Sequence, residues 1–199
     1  IFCDTERFED DALEPMSKLG HGCIYTHGPE GDPIRTVSPA LREHILDGHY
    51  RPHHLALEQA VEQQLALHGR ALIIDCHSFP DRPFSSLTPK TEAQVAAEAA
   101  DPSPDFCIGA DPHHTAPELT SHLVHQFYQR GFSVSVNSPY SGSLVPLKFY
   151  RSDPRVLSIM IEVNRKLILT PSGHEKSANF PAFQQLIQGL YPSLCAVAE

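Results

Sequence analysis

A short apolar run that leads into polar residues and a proline is the feature that most constrains how this chain folds. Residues 71–80 read ALIIDCHSFP, in which four apolar residues come first, too few for a helix. The run predicts a buried central strand that opens into a loop at His77. Because side chains alternate along a strand, Asp75 and His77 face the same side, where the acid is able to orient the imidazole. The alternative is a core histidine satisfied by one hydrogen bond.

Helix and strand signals alternate along the rest of the chain. Helices are predicted at 39–46, 52–68 (ending at Gly69), 92–99, 119–130 and 180–190, and further strands at 1–3, 106–109, 132–136 and 156–163. The segment 80–104 is predicted to be a long loop around its short helix. This order predicts an α/β fold, with a mostly parallel mixed sheet sandwiched between helices, as a single catalytic domain over residues 1–199.

Composition excludes several classes of function. The chain has 199 residues and a formal net charge of -9, which argues against nucleic acid or an anionic membrane as the main partner. No apolar run approaches the roughly 18 residues of a membrane span, so we expect a soluble protein. The cysteines are odd in number, five, and none forms a C-x-x-C pair. Reduced thiols in a cytoplasmic protein fit this pattern better than disulfides.

Two further polar features stand out against apolar surroundings. Glu162 lies inside the predicted strand 156–163, where a carboxylate is costly unless it is functional or paired with Arg155 or Arg165. The segment 137–143 is rich in Gly, Pro and Ser, which is typical of a loop that places backbone groups against a ligand or of a tight turn.

Five short motifs occur in an order that resembles one known family. They are Asp4-x-Glu6-Arg7, Asp75-x-His77-Ser78, Phe106-Cys107-Ile108-Gly109, Asn137-x-Pro139-Tyr140-x-Gly142 and Ile161-Glu162. Together, and over nearly the whole chain, they resemble the N-formylglutamate amidohydrolase family, relatives of the zinc carboxypeptidases. The resemblance implies a phosphorylase/hydrolase-like α/β fold and a zinc-dependent amide hydrolase.

The resemblance also implies a role for individual residues. His77 matches a zinc ligand, Glu162 the catalytic glutamate, and Arg7 the arginine that grips a substrate carboxylate. Asp4 matches an acid that orients an earlier zinc histidine. That histidine and an acidic ligand belong upstream of Ile1, and the strand-like Ile1-Phe2-Cys3 start, without Met, is expected to continue a longer chain.

The chemistry that the resemblance implies suits these residue types. Zinc with three protein ligands acidifies water and polarises a carbonyl, and a glutamate transfers the protons. Asn137, Tyr140 and the backbone of Gly142 are candidate substrate or oxyanion contacts. Relatives usually have Asn before the arginine, where this chain has Glu6. That extra carboxylate would either repel a dianionic substrate or pair with Arg7.

We therefore predict zinc-dependent hydrolysis of an N-acyl acidic amino acid, such as N-formyl-L-glutamate, a small anionic substrate, without a role for nucleic acid or a membrane. A carboxypeptidase-like or other N-acyl deacylase is the second hypothesis, and a non-catalytic binding protein of the same fold is the third. For Arg7 itself, the alternative to substrate binding is a surface ion pair. The adjacent pairs His53/His54 and His113/His114 are expected to cap or face solvent rather than bind metal.

Overall fold

The structure, a computed structural model, describes residues 3–28, 31–81 and 103–198. The described residues form two compact units, one running to Gln63 and the other starting at Gln64. Each unit contains its own apolar cluster. The prediction of a single catalytic domain over residues 1–199 stays a prediction. No helix in the described ranges has the length and apolar character needed to cross a membrane.

The first unit is built from helical segments around a small core. These segments are a 3₁₀ turn at Pro15–Leu19, α1 at Pro39–Ile45, a π turn at Leu46–Tyr50 and the start of α2 at Arg51–His68. Ser38 caps α1, because its Oγ accepts a hydrogen bond from the Leu41 amide at 3.2 Å. The core residues are Cys23, Ile24, Ile45, Leu46 and Tyr50. The two helices predicted before residue 70 are thus present.

The buried stripe of α2 is narrower than its leucines suggest. Val61 is buried and Leu57 and Leu65, four residues to either side, are half-buried, whereas Leu55 and Leu67 are 56% and 65% exposed. Residues four apart share a helix face and residues six apart do not, which accounts for the difference. Gly69 follows the helix with a φ of 73°, as a C-terminal cap requires.

The described part of the second unit contains a four-stranded mixed sheet. Its strands are β1 at Ala71–Phe79, β2 at Phe106–Gly109, β3 at Val134–Val136 and β4 at Val156–Asn164. The spatial order is β1-β4-β2-β3, with β1/β4 and β2/β3 parallel and β2/β4 antiparallel. Two of the three pairings are therefore parallel, and the predicted α/β fold with a mostly parallel mixed sheet is confirmed.

The position of β1 differs from the expectation in two ways. Within the described part of the sheet β1 lies at the edge and β4 is interior, so the apolar run at 71–74 does not mark a central strand. β1 also extends to Phe79, because its pairing with β4 continues through Asn164. His77 therefore lies inside a strand and not in a loop.

The two faces of the sheet have different characters. One face packs against α3, Pro117–Tyr128, and α4, Phe180–Ala198, in the main core. Phe106 and Phe127 stack there with ring centroids 3.7 Å apart. Strand alternation places Asp75, His77, Glu162 and Cys107 on the opposite face. Three residues of the predicted site, Asp75, His77 and Glu162, thus share one face, opposite the helix-packed core.

Element ends account for the remaining differences. α4 runs to Ala198 rather than ending near Leu190, because Leu194 and Ala198 continue its buried face past Pro192. α3 ends two residues earlier than predicted, at Tyr128, and β3 starts at Val134 instead of residue 132. The predicted helix at 92–99, and most of the predicted loop at 80–104, lie outside the described residues, as does most of the strand predicted at 1–3.

Candidate active site

Asp75 and His77 form a close pair on the polar face of β1. Asp75 Oδ1 lies 2.8 Å from His77 Nε2, and Asp75 is only 8% exposed. The second carboxylate oxygen, Oδ2, accepts a hydrogen bond from the Leu144 amide at 3.3 Å. A carboxylate against one ring nitrogen is the arrangement that orients a metal-binding histidine. The i, i+2 spacing on a strand is sufficient to produce this pair.

Glu162 occupies the neighbouring position on β4. In the sheet register it is paired with His77 on one side and with Cys107 on the other, and it is 6% exposed. The sequence left open an ion pair with Arg155 or Arg165. The Arg155 guanidinium binds the carboxylate of Asp153, at 2.6 and 2.9 Å, and Arg165 donates to Ser78. The structure thus brings an imidazole and two buried carboxylates together.

The loop from Asn137 to Leu144 crosses the same face. The Cys107 thiol donates to the Tyr140 carbonyl, with sulfur and oxygen 3.2 Å apart. Gly142 has a φ of 82°, and a Cβ on Gly109 would lie 2.2 Å from the Gly142 oxygen. Gly109 therefore leaves the space in which this loop approaches the sheet.

Asn137 holds the start of that loop. Its backbone φ is 55°, its Oδ1 accepts a hydrogen bond from the Ala110 amide at 2.8 Å, and its own amide donates to the Ile108 carbonyl at 2.9 Å. Asn favours this left-handed conformation more than most residues do. The side-chain oxygen thus joins the loop to the end of β2, while a role of Asn137 in substrate binding stays a prediction.

Tyr140, on the loop, lies within electrostatic reach of Glu162. Its ring is half-buried against Phe79, with centroids 5.6 Å apart. Burial raises the pKa of the Tyr140 phenol, and the negative charge of Glu162 raises it further, against an opposing effect of Arg165. The phenol thus stays protonated at neutral pH and is a hydrogen-bond donor next to a carboxylate.

The Asp4–Arg7 loop belongs to the first unit and has its own network. Asp4 Oδ2 lies 3.4 Å from Arg7 Nε and accepts a hydrogen bond from the Tyr25 hydroxyl at 2.9 Å. Arg7 also lies 3.8 Å from the buried Glu14 carboxylate, and its side chain is 35% exposed. The Glu6 amide donates to Asp4 Oδ1. Asp4 and Glu14 thus both pair with the guanidinium of Arg7, while the side chain as a whole remains partly exposed to solvent.

The adjacent histidine pairs take local roles. His53 and His113 are exposed. His54 Nε2 donates to the Thr5 carbonyl at 2.8 Å. His114 is 1% exposed; its Nδ1 donates to the Val156 carbonyl and its Nε2 accepts from the Arg151 amide, both at 2.8 Å. His114 is therefore a structural histidine of the interior.

Sequence reasoning missed two residues at this site. Cys107 has no assigned role within its sequence motif, yet its thiol donates a hydrogen bond to the carbonyl of Tyr140. Arg165 was considered only as a partner of Glu162, yet it binds the residue after His77. The alternation of residues in 106–109 places Cys107 on the same face as Gly109, but only the strand order places it beside Glu162.

The donors on this face fit a divalent metal ion. On this face the imidazole of His77 lies 2.8 Å from the carboxylate of Asp75, and zinc accepts nitrogen and carboxylate ligands of this kind. Buried carboxylates are costly without compensating charge, which a cation supplies. Manganese and iron accept the same donor types, so these donors do not select one metal.

Comparison with known proteins agrees with the predicted resemblance. The sequence profile of the N-formylglutamate amidohydrolase family matches residues 1–169. An N-formylglutamate amidohydrolase from Ralstonia eutropha JMP134 has a similar structure, with 23% identity, a TM-score of 0.78 and coverage of 99% of this chain and 72% of that chain. No curated protein sequence matches significantly.

A second solved structure is more distant. The gene product Atu2144 from Agrobacterium tumefaciens is 15% identical, with a TM-score of 0.55 and coverage of 97% of this chain and 68% of that chain. At such identities the structural likenesses show the fold alone. The family profile spans most of the chain, and the protein is therefore a member of the N-formylglutamate amidohydrolase family, a family of amide-bond hydrolases.

Proposed function

We propose that this protein hydrolyses the amide bond of an N-acyl acidic amino acid, N-formyl-L-glutamate in particular, to formate and glutamate. The observation that carries the proposal is the register pairing of His77 with the buried Glu162, with Asp75 oriented against His77. Family membership supplies the reaction class. The formyl carbon gains the oxygen of water, and the nitrogen leaves as the free amine of glutamate.

Zinc is the proposed cofactor, and His77 would hold it. Bound zinc supplies an acidified water and a polarised substrate carbonyl. Asp75 keeps the imidazole of His77 in one orientation. Manganese or iron in place of zinc would leave these protein roles unchanged.

Glu162 is the proposed general base and acid. It takes a proton from the attacking water and returns it to the leaving nitrogen, a contribution typically worth about 10²- to 10⁴-fold. Its place beside His77, at 6% exposure, supports this role. Tyr140, Asn137 and the Gly142 backbone are proposed substrate contacts on the loop that crosses the same face.

Arg7 is proposed to bind a substrate carboxylate through two parallel hydrogen bonds. Its ion pairs with Asp4 and Glu14 fix the guanidinium, and its partly exposed side chain supports ligand binding. We propose a small anionic substrate as the partner, without nucleic acid or a membrane, and the cytoplasm as the location, consistent with the acidic chain and its free cysteines.

Formate release from N-formylglutamate, measured together with metal content, tests this proposal. We expect one divalent ion per chain, loss of activity in chelator, and recovery with zinc. A panel of N-acetyl, N-succinyl and N-formyl amino acids and C-terminal peptides tests the substrate. Turnover of another acyl amide alone would favour a different deacylase. Absence of both metal and turnover would favour a non-catalytic binding protein.

A further inference from the structure

Arg165 occupies a defined position at the end of the two strands that carry the site. It follows β4 directly, and its guanidinium donates to Ser78 twice, from Nε to Oγ at 3.2 Å and from NH2 to the carbonyl at 3.1 Å. Ser78 is the residue after His77. The contacts use two of the five N–H donors of the guanidinium, so three donors remain for another acceptor.

The charge of Arg165 acts on the same region as Glu162. The pKa of the Tyr140 phenol, raised mainly by burial, responds to the carboxylate of Glu162 and in the opposite direction to the guanidinium of Arg165. Both charges therefore lie within electrostatic reach of one phenol. Arg165 is exposed and lies three residues beyond Glu162, at the end of the strand pair. Ser78 alternates with His77, so its side chain belongs to the other face, and the guanidinium lies at the strand end rather than on the face with Glu162.

Arg165 differs from the arginine at the other end of the same strand. Arg155 precedes β4, and its guanidinium contacts both oxygens of Asp153. Within the described ranges Arg165 forms no ion pair with an acidic side chain, since both of its side-chain hydrogen bonds go to the neutral Ser78. The guanidinium of Arg165 is thus fixed by Ser78 and exposed to solvent, and such a group is suited to bind an anion from solution.

We propose that Arg165 binds the side-chain carboxylate of the substrate and so sets the preference for acidic over neutral N-acyl amino acids. This inference rests on the proposed function. In the substrate, the side-chain carboxylate lies farther from the scissile amide than the α-carboxylate does. This suits a cation at the strand end, where Ser78 holds Arg165. An α-carboxylate is common to all N-acyl amino acids, so discrimination requires a second positive group.

Replacement of the guanidinium, measured on two substrates of nearly the same shape, tests the proposal. For Arg165→Met we expect kcat/KM for N-formylglutamate to fall about 10- to 100-fold, mainly through KM, as for loss of a charge-assisted hydrogen bond. For N-formylglutamine we expect less than about threefold change, because no charge is paired. Arg165→Lys should restore part of the preference for N-formylglutamate over N-formylglutamine. Lysine keeps the positive charge but lacks the planar guanidinium that forms two parallel hydrogen bonds.

Arg155→Met is the matched control, because it removes a guanidinium from the opposite end of β4. We expect it to leave the ratio of kcat/KM for the two substrates unchanged. An equal loss on both substrates in Arg165→Met would overturn the proposal and indicate that Arg165 only supports β1 through Ser78. No loss on either substrate would also overturn it.

Calorimetric binding separates this inference from the proposed function. If the wild-type protein releases formate from neither compound, the proposed function fails, and binding of N-formylglutamate and N-formylglutamine then decides the role of Arg165. A loss of affinity in Arg165→Met that is confined to N-formylglutamate supports the role. Equal affinities in wild type and variant, or no binding to the wild type, overturn it.

Discussion

Glu162 on β4 lies directly beside His77 on the parallel strand β1. Both side chains belong to the face of the sheet opposite the one that packs against α3 and α4. Glu162→Gln keeps the size of the side chain and removes its ability to take a proton. We expect kcat for deformylation to fall about 10²- to 10⁴-fold, with metal content and the urea midpoint nearly unchanged. Glu118→Gln, on an exposed position of α3, is the control and should retain full activity. Full activity in Glu162→Gln would remove Glu162 from the mechanism.

Asp75→Asn tests how the orientation of His77 affects metal binding. The amide oxygen of Asn retains an acceptor for the Leu144 amide, but the charge against His77 is lost. We expect metal affinity to fall about 10- to 100-fold, as it does when a carboxylate that orients a metal-binding histidine is removed. Equilibrium titration with zinc measures this without reference to activity. An unchanged dissociation constant would show that the contact is structural only.

Gly109→Ala tests the approach of the 137–144 loop to the sheet. The new methyl would lie 2.2 Å from the Gly142 oxygen and 2.3 Å from Met160 Cε, so the backbone has to move. We expect a loss of about 1–3 kcal/mol in the free energy of unfolding, as for other overpacked sites. We also expect a lower kcat/KM, because Tyr140 moves with the loop.

Gly189→Ala is the matched control for this substitution. Gly189 lies on an exposed position of α4, and a Cβ there meets nothing within 4 Å. We expect a gain of about 0.5–1 kcal/mol, since alanine is the better helix former. Urea unfolding measures both variants. Equal stability of Gly109→Ala and the wild type would mean that the loop does not need this glycine.

His54 gives the first unit a defined response to acid. Burial lowers the pKa of His54, although the hydrogen bond to the Thr5 carbonyl opposes the shift. The folded protein thus binds the proton more weakly than the unfolded chain does. The corresponding stability is present above the ordinary histidine pKa of about 6.5 and is lost as pH falls through the lower folded value.

His54→Gln keeps an N–H donor for Thr5 but does not titrate. We expect the free energy of unfolding to depend less on pH below about 6.5 than in the wild type. Because Thr5 lies between Asp4 and Arg7, the same variant tests whether acid loosens that loop. The control is His53→Gln, on an exposed neighbour. Urea unfolding across this pH range measures both, and identical slopes in wild type and His54→Gln would contradict the assignment.

Local patterns were sufficient for much of this protein. The apolar run at 71–74, the capped helix after Ser38 and the apolar strand around Glu162 depend on neighbours within a few residues, and so did the pairing of Asp75 with His77. Signals of this kind depend only on the order of residues within a short segment of the chain. The ordered motifs were likewise sufficient to identify the family, which the profile match over residues 1–169 confirms.

Long-range pairing decided the rest. The place of β1 at the edge of the described sheet, and the alignment of His77 with Glu162 and Cys107, depend on contacts between residues far apart in the chain. A one-residue change of register would turn Glu162 to the helix-packed face, which the apolar alternation of Leu157, Ile159 and Ile161 opposes. That alternation does not show which residues of β1 and β2 lie beside Glu162. The contact of Arg165 with Ser78 arises in the same way, because only the pairing of β1 with β4 brings these two residues together.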